Sequence, residues 1–193
     1  MFGSPLNLPL NEKSPMNPIS PYAKSKFSAF KYCQKARIEY GLRISNLILF
    51  NHESHLRKFG FLTHRIVSQA LKLQRGKIEF VSLKYGEIQR DWGHSVDFMN
   101  AISLCLENNT DDDLIISTNK HHSVNHFAAT ALKVIGVENY ASKIRSEFNS
   151  IPMNIPKIIY GDNSKIGQLL HWAPKYDFEK MILDIVSNFQ LSE

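Results

Sequence analysis

Three times in its first 119 residues the chain closes a helical pattern on a glycine or asparagine and turns at once into a short apolar run. "SPYAKSKFSAFKYCQKARIEYG" gives way to "LRISNLILFN", "FLTHRIVSQALKLQRG" to "KIEFVSL", and "SVDFMNAISLCLEN" to "DDLIISTN". Runs that are apolar on successive positions, rather than alternating, belong to strands covered on both faces. Such strands are parallel, and parallel strands need crossover helices between them. The alternation therefore predicts an α/β fold and argues against an all-β sandwich or a plain helical bundle.

The remaining segments fit the same reading. Residues 1–21 carry Pro5, Pro9, Pro15 and Pro18 before Pro21, with Asn and Ser between them and no apolar period, and read as extended loop. Ser20 suits an N-cap and Pro21 the first helical position, where its missing N–H costs nothing. The helix should run to Tyr40, bury Phe27, Phe30, Cys33, Ala36 and Ile38 along one side, and stop at Gly41. "SVNHFAATALKVIG" reads as a helix ending at Gly136, and residues 138–156 as polar and irregular. "IPKIIYGD" reads as extended, with "NSKIGQLLHW" and "DFEKMILDIVSNF" as closing helices.

Composition narrows the partners. A length of 193 residues suits one domain or a large part of one. The net charge of +5 fits an anionic ligand, and because the basic residues are scattered rather than blocked, nucleic acid is not expected. Two cysteines, Cys33 and Cys105, both in apolar-periodic stretches, point to free thiols in a reducing compartment. With no secretory pattern at the start and no run of about 18 apolar residues, a cytoplasmic protein with no membrane partner is expected.

Four clusters carry possible chemistry. Tyr22 and Lys26 stand at i and i+4 on one helix face, so an ammonium can sit beside a phenol. A phenol titrating near 10 needs such a cation to reach its phenolate near neutral pH. Two ordinary surface residues would look the same. Asn51, His52, Glu53, Ser54 and Arg57 follow a buried strand, where open α/β sheets bind ligands, and they equally suit a polar loop before the next helix. In "RDWGHSVDF", Arg90 can grip a phosphate, while Asp91 to His94 also suit a structural turn. His122 and His126 share the i, i+4 spacing, but no carboxylate or cysteine completes a ligand set, so no metal is expected there. "TDDDL" reads as a solvated loop entering a strand. The 193 residues hold no Gly-x-Gly-x-x-Gly and no Gly-x-x-x-x-Gly-Lys phosphate loop.

Taken together and in order, "SPYAKSK", "LFNHES", "RDWGHSVDF", "HSVNHF" and "YGDNSKIGQLLHWAPKYDFEKMI" resemble the GDP-mannose 4,6-dehydratases of the extended short-chain dehydrogenase/reductase superfamily. That resemblance implies the C-terminal part of an NAD(P)-binding Rossmann-like fold with its substrate-binding domain. Residues 1–50 would be a remnant of the dinucleotide-binding domain, and residues 51–193 mainly substrate-binding, with some elements returning to the Rossmann sheet. It implies NADP as cofactor and GDP-mannose or a related nucleotide sugar as ligand. The reaction would be redox-neutral: C4 oxidised, the C5 proton removed, water lost from C6 and the hydride returned to C6.

By the same resemblance Tyr22 is the base for the C4 hydroxyl proton, and Lys26 eases its ionisation and binds the nicotinamide ribose. His52 and Arg57 contact NADP, Asn51 and Arg90 the sugar nucleotide. Departures accompany it: the family's "PRRG" reads "HLRKFG", a Gly-Asn pair reads Lys84-Tyr85, and a late arginine reads Ile155. The family's Ser/Thr and Glu, expected just before Met1-Phe2-Gly3, and its glycine loop are not among these residues. The chain alone is thus expected to be inactive, a truncated dehydratase. The alternatives are a non-catalytic or oligomerising half of a split enzyme, paired with a second copy or a complementary N-terminal half, and a related epimerase or reductase.

Overall fold

The computed structural model describes residues 1–148, 150–153 and 155–189. Helix α1 spans Pro21–Tyr40, followed by strands β1 (Asn46–Leu49) and β2 (Asn51–Glu53), helix α2 (Leu62–Gln74) and strand β3 (Val81–Leu83). Strands β4 (Gln89–Arg90) and β5 (Trp92–His94) lead into α3 (Ser95–Glu107), then β6 (Asp113–Ile116), β7 (His122–Ser123) and α4 (Val124–Val134). A 3-10 turn at Tyr140–Lys143, β8 (Ile144–Ser146), β9 (Ile158–Ile159), α5 (Ser164–Leu170) and α6 (Phe178–Ser187) complete the order.

Helix α1 begins and ends as its sequence dictates. Ser20 Oγ accepts from Ala23 N at 3.1 Å, Pro21 opens the helix, and Gly41 closes it in the left-handed region at φ 61°, which side chains avoid. Its buried residues are Phe30 and Ala36, with Phe27 and Cys33 half-buried. Ile38, expected inside, is 84% exposed. Two residues beyond Ala36 means about 200° around the axis, so a buried Ala36 turns Ile38 outward.

The parallel character holds. β1 pairs with β6 in parallel, Asn46 opposite Asp113, and β2 with β5, Asn51 opposite Trp92. β3 pairs with β8 in parallel, and β4 lies between antiparallel β7 and parallel β9. Several pairings were not legible as strands. "RDWGH", read as a turn before a helix, contributes β5, whose three residues are all buried. "KIEFVSL" narrows to three residues, and the supposedly irregular 138–156 supplies the 3-10 turn and β8, which needs β3 as a partner.

Two apolar clusters hold the chain together. One gathers α2, α4 and α6 around β3 and Trp92. The other joins Phe2 and Leu10 of the N-terminal loop to α1, β1, β6, α3 and α5 through Phe30, Ile48, Phe98, Leu114, Ile116 and Ile166. Each fully buried side chain of this size contributes roughly 1.5–3 kcal/mol. The proline-rich start is extended as expected, but it is docked rather than loose. Leu10 is buried, donates its N–H to Tyr160 O at 3.0 Å and accepts from Asp162 N at 2.8 Å.

"TDDDL" departs from its reading as a solvated loop. Asp112 pairs with Lys165 at 2.7 Å, and Asp113 is buried at the start of β6. The Asp113 carboxylate accepts from Gln34 Nε2 at 2.6 Å, from Asn46 Nδ2 at 2.8 Å and from the Arg37 guanidinium. It therefore ties α1, β1 and β6 together.

Candidate functional site

β1 and β2 are separated only by Phe50, and β4 and β5 only by Asp91. Asp91, fully buried, fastens the second break: its carboxylate accepts from Thr118 N at 2.9 Å, Thr118 Oγ1 at 2.7 Å and Gly161 N at 3.3 Å. Burial pushes the Asp91 carboxyl up to about 6 even though these donors favour its charged form. The backbone on both sides is thereby fixed, and three depressions form around the ends of β1, β2 and β4.

The largest, about 650 Å³, is bordered by the start of α1, by β1 and by the N-terminal loop. Tyr22 and Lys26 line it together with Leu47, Leu49, Asn51 and His52. The Lys26 ammonium lies 5.6 Å from the Tyr22 ring centroid, on the same helix face. Tyr22 is 73% exposed, so its phenol is open to a ligand rather than packed away. Among the described residues β1 pairs only with β6, and the cavity lies along the strand that keeps its other edge unpaired.

A second depression, about 270 Å³, is lined by Asn51, Glu53, Thr63, Lys84, Tyr85, Arg90 and Trp92 among others. Arg90 Nη1 donates to the carbonyls of Gln89 at 2.7 Å, Pro156 at 3.0 Å and Lys157 at 3.4 Å. These bonds aim the guanidinium without neutralising it, and no carboxylate among the described residues pairs with it. Burial lowers the Arg90 pKa from its ordinary value, the mark of a desolvated cation lacking a counter-ion. Such a group favours an anion.

Asn51 lines both depressions and so joins the phenol–ammonium pair to the guanidinium. His52 is held beside it, its Nδ1 3.0 Å from Phe50 O and its ring stacked on Phe98 at 5.1 Å. Arg57 stands apart. Its Nε donates to Glu53 Oε2 at 2.6 Å and its Nη2 to His52 O at 2.6 Å, and Thr63 Oγ1 donates to the same buried carboxylate at 2.8 Å. Arg57 therefore lines a third groove with His52, Ser54 and Ser95 rather than either cavity above. Of the six sequence-derived candidates, the structure gathers Tyr22, Lys26, Asn51, His52 and Arg90 and leaves Arg57 on the adjoining loop.

Other lining residues carried no signal of their own. Lys84 and Tyr85 face the Arg90 depression, while Ile155 and Pro156 close the Tyr22 cavity. All four lie where the resemblance showed departures or beside them. Glu53, one of the cluster that follows the buried strand, is buried and accepts from two donors, which makes it the anchor of the loop.

The sequence profile of the family described as GDP-mannose 4,6 dehydratase matches residues 1–185. The chain belongs to that family. It is 31% identical over 202 residues to the GDP-mannose 4,6 dehydratase of Drosophila melanogaster, a match covering 96% of this chain and 51% of that protein. It is 34% identical over 182 residues to GDP-mannose 4,6 dehydratase 1 of Arabidopsis thaliana, covering 94% and 50%. The chain thus spans about half the length of these relatives. Among solved structures, RMD from Pseudomonas aeruginosa complexed with NADPH superposes with a TM-score of 0.86 at 18% identity, covering 97% of this chain and 62% of that one. This likeness is one of fold, and it extends over nearly all of this chain. Among the described residues no helix is long and apolar enough to cross a membrane, and no three His, Cys, Asp or Glu side chains cluster as a metal set.

Proposed function

We propose that these residues are the nucleotide-sugar-binding half of a GDP-mannose 4,6-dehydratase, carrying its Tyr–Lys pair and needing a dinucleotide-binding half, in cis or in trans, for turnover. The observation that carries this reading is that one residue, Asn51, lines both the Tyr22–Lys26 cavity and the Arg90 depression. A nucleotide sugar has that same division: a sugar whose hydroxyl must lose a proton, and a diphosphate that must be neutralised.

In this reading Arg90 takes the diphosphate, held ready by three main-chain carbonyls so that little side-chain freedom is lost on binding. Asn51 positions the sugar between the two sites. Tyr22 accepts the proton of the sugar's C4 hydroxyl, with the Lys26 ammonium as its electrostatic partner on the same helix face. His52, fixed against Phe98, forms the wall shared with the cofactor. The nicotinamide end of NADP would be held in the Tyr22 cavity, against the apolar side chains of β1 and beside the Lys26 ammonium, and the bound cofactor would supply the acceptor and donor of the hydride. Residues 1–50 then belong with the dinucleotide-binding unit, as does β6 through its pairing with β1, and the helical cluster of α2, α4 and α6 belongs with substrate binding.

The test is complementation. The purified 193-residue protein with NADP⁺ and GDP-mannose should give no GDP-4-keto-6-deoxymannose. Adding the N-terminal half of a relative, separately or fused ahead of Met1, should give product that disappears in Tyr22→Phe. Turnover by the 193 residues alone, or product that survives Tyr22→Phe, would overturn the reading.

A further inference from the structure

His122 and His126 lie outside the two cavities just described. Their side-chain Nδ1 atoms face each other at 3.1 Å. Two ligands about 2.0–2.1 Å from one metal ion and roughly 90–100° apart are separated by about 2.9–3.2 Å, so these two nitrogens already span a cis edge of a coordination sphere.

The pair is built rather than incidental. Ser123 Oγ accepts from His126 N at 3.0 Å and caps α4, which sets the turn between the two residues. Phe178 holds the rings: His122 stacks on it at 3.7 Å and 11°, and His126 tilts against it at 5.2 Å. Both imidazoles are therefore held with their Nδ1 atoms 3.1 Å apart and their rings inclined at 50°.

We propose that His122 and His126 form a two-imidazole chelate for a divalent first-row transition ion, bound through both Nδ1 atoms. With neutral rings, one Nδ1 donates its proton to the other; on metal binding that proton moves to the same ring's Nε2, leaving both Nδ1 lone pairs on the ion and no net proton released. Water fills the remaining positions, since no third His, Cys, Asp or Glu among the described residues completes the set. Two nitrogen ligands with open positions suit Cu²⁺ first and Ni²⁺ next, by ligand type and by the usual order of divalent affinities. The nearby Lys120 charge and the helix start oppose a cation, so affinity in the micromolar range is expected rather than tighter. The ion would sit next to the strand pair that carries Arg90, because His122 is the register partner of Arg90.

The experiment is a titration of the 193-residue protein with Cu²⁺ at pH 7.5, read by calorimetry and by electron paramagnetic resonance. One ion per chain with hyperfine structure from two nitrogens is expected. His126→Ala, at an exposed position that leaves the fold intact by circular dichroism, should weaken binding at least tenfold, as should His122→Gln, while His121→Gln should not change it. Ni²⁺ should raise the melting temperature of the parent protein but not of His126→Ala. Absence of stoichiometric Cu²⁺ binding by the parent protein, or unchanged affinity in His126→Ala, would overturn the proposal.

Discussion

Helix α1 carries Tyr22 and Lys26, yet it buries only Phe30 and Ala36, so its seat depends heavily on polar contacts at its far end. Asp113 is the centre of these. Replacing it with alanine removes the acceptor of Gln34, Asn46 and Arg37 at once, and strands a guanidinium whose side chain is 16% exposed. Breaking a buried ion pair by deleting one partner costs about 3–5 kcal/mol. Arg37 keeps its bond to Asp111 O at 2.7 Å and some contact with water, which lowers the expected loss to roughly 2–4 kcal/mol. Asp113→Asn keeps one acceptor oxygen and should cost about half as much. The assay is urea unfolding followed by fluorescence and circular dichroism, with Arg37→Met and the double variant closing a cycle. A coupling of at least about 1 kcal/mol is expected, together with faster hydrogen exchange along α1. A loss under about 0.5 kcal/mol for Asp113→Ala, or no coupling, would refute the argument that this carboxylate seats the helix.

Other consequences can be checked alongside. Gly93→Ala places a Cβ against the Phe98 ring and 2.9 Å from Thr118 Cγ2, so a loss of about 1–3 kcal/mol is expected by thermal unfolding. Asp97→Ala releases the N–H groups of Lys175 and Tyr176, each 2.9 Å from its carboxylate, and should cost about 2–4 kcal/mol and speed exchange of those two amides. Asp91 and His122 act oppositely on the pH dependence of stability. The folded state holds the Asp91 proton up to about pH 6 while the unfolded chain releases it near 4, so this contribution is present at low pH and lost as pH rises through that window. His122 resists protonation until about pH 4 while the unfolded chain protonates near 6.5, so its contribution is full above 6.5 and lost as pH falls. Because the two windows overlap, the contributions offset in the parent protein, and denaturant titrations from pH 4 to 7 should show stability rising with pH in Asp91→Asn and falling with pH in His122→Gln.

What the sequence made legible was whatever is set locally. The Ser20 cap, the Pro21 start and the Gly41 stop depend on neighbours within four residues, and they stand where the pattern put them. The Tyr22–Lys26 face is likewise local. What escaped depends on partners distant along the chain. β5 is a strand because β2 lies beside it, and β8 because β3 does; neither has a period of its own in three residues. Asp113 looked solvated because nothing near it in sequence announces Arg37, 76 residues earlier. The same reasoning separates Arg57 from Arg90. Each was a cation beside a candidate site, but Glu53 holds the first, whereas main-chain carbonyls aim the second and leave its charge unmatched.

Arg90 as the seat of a nucleotide diphosphate is open to direct measurement. Calorimetric titration of GDP-mannose into the 193-residue protein, with GDP as competitor, should show one site per chain, displaced by GDP. Arg90→Met should weaken binding by at least tenfold while circular dichroism stays unchanged. Binding of equal strength in Arg90→Met, or no binding by the parent protein when it is folded, would contradict the account.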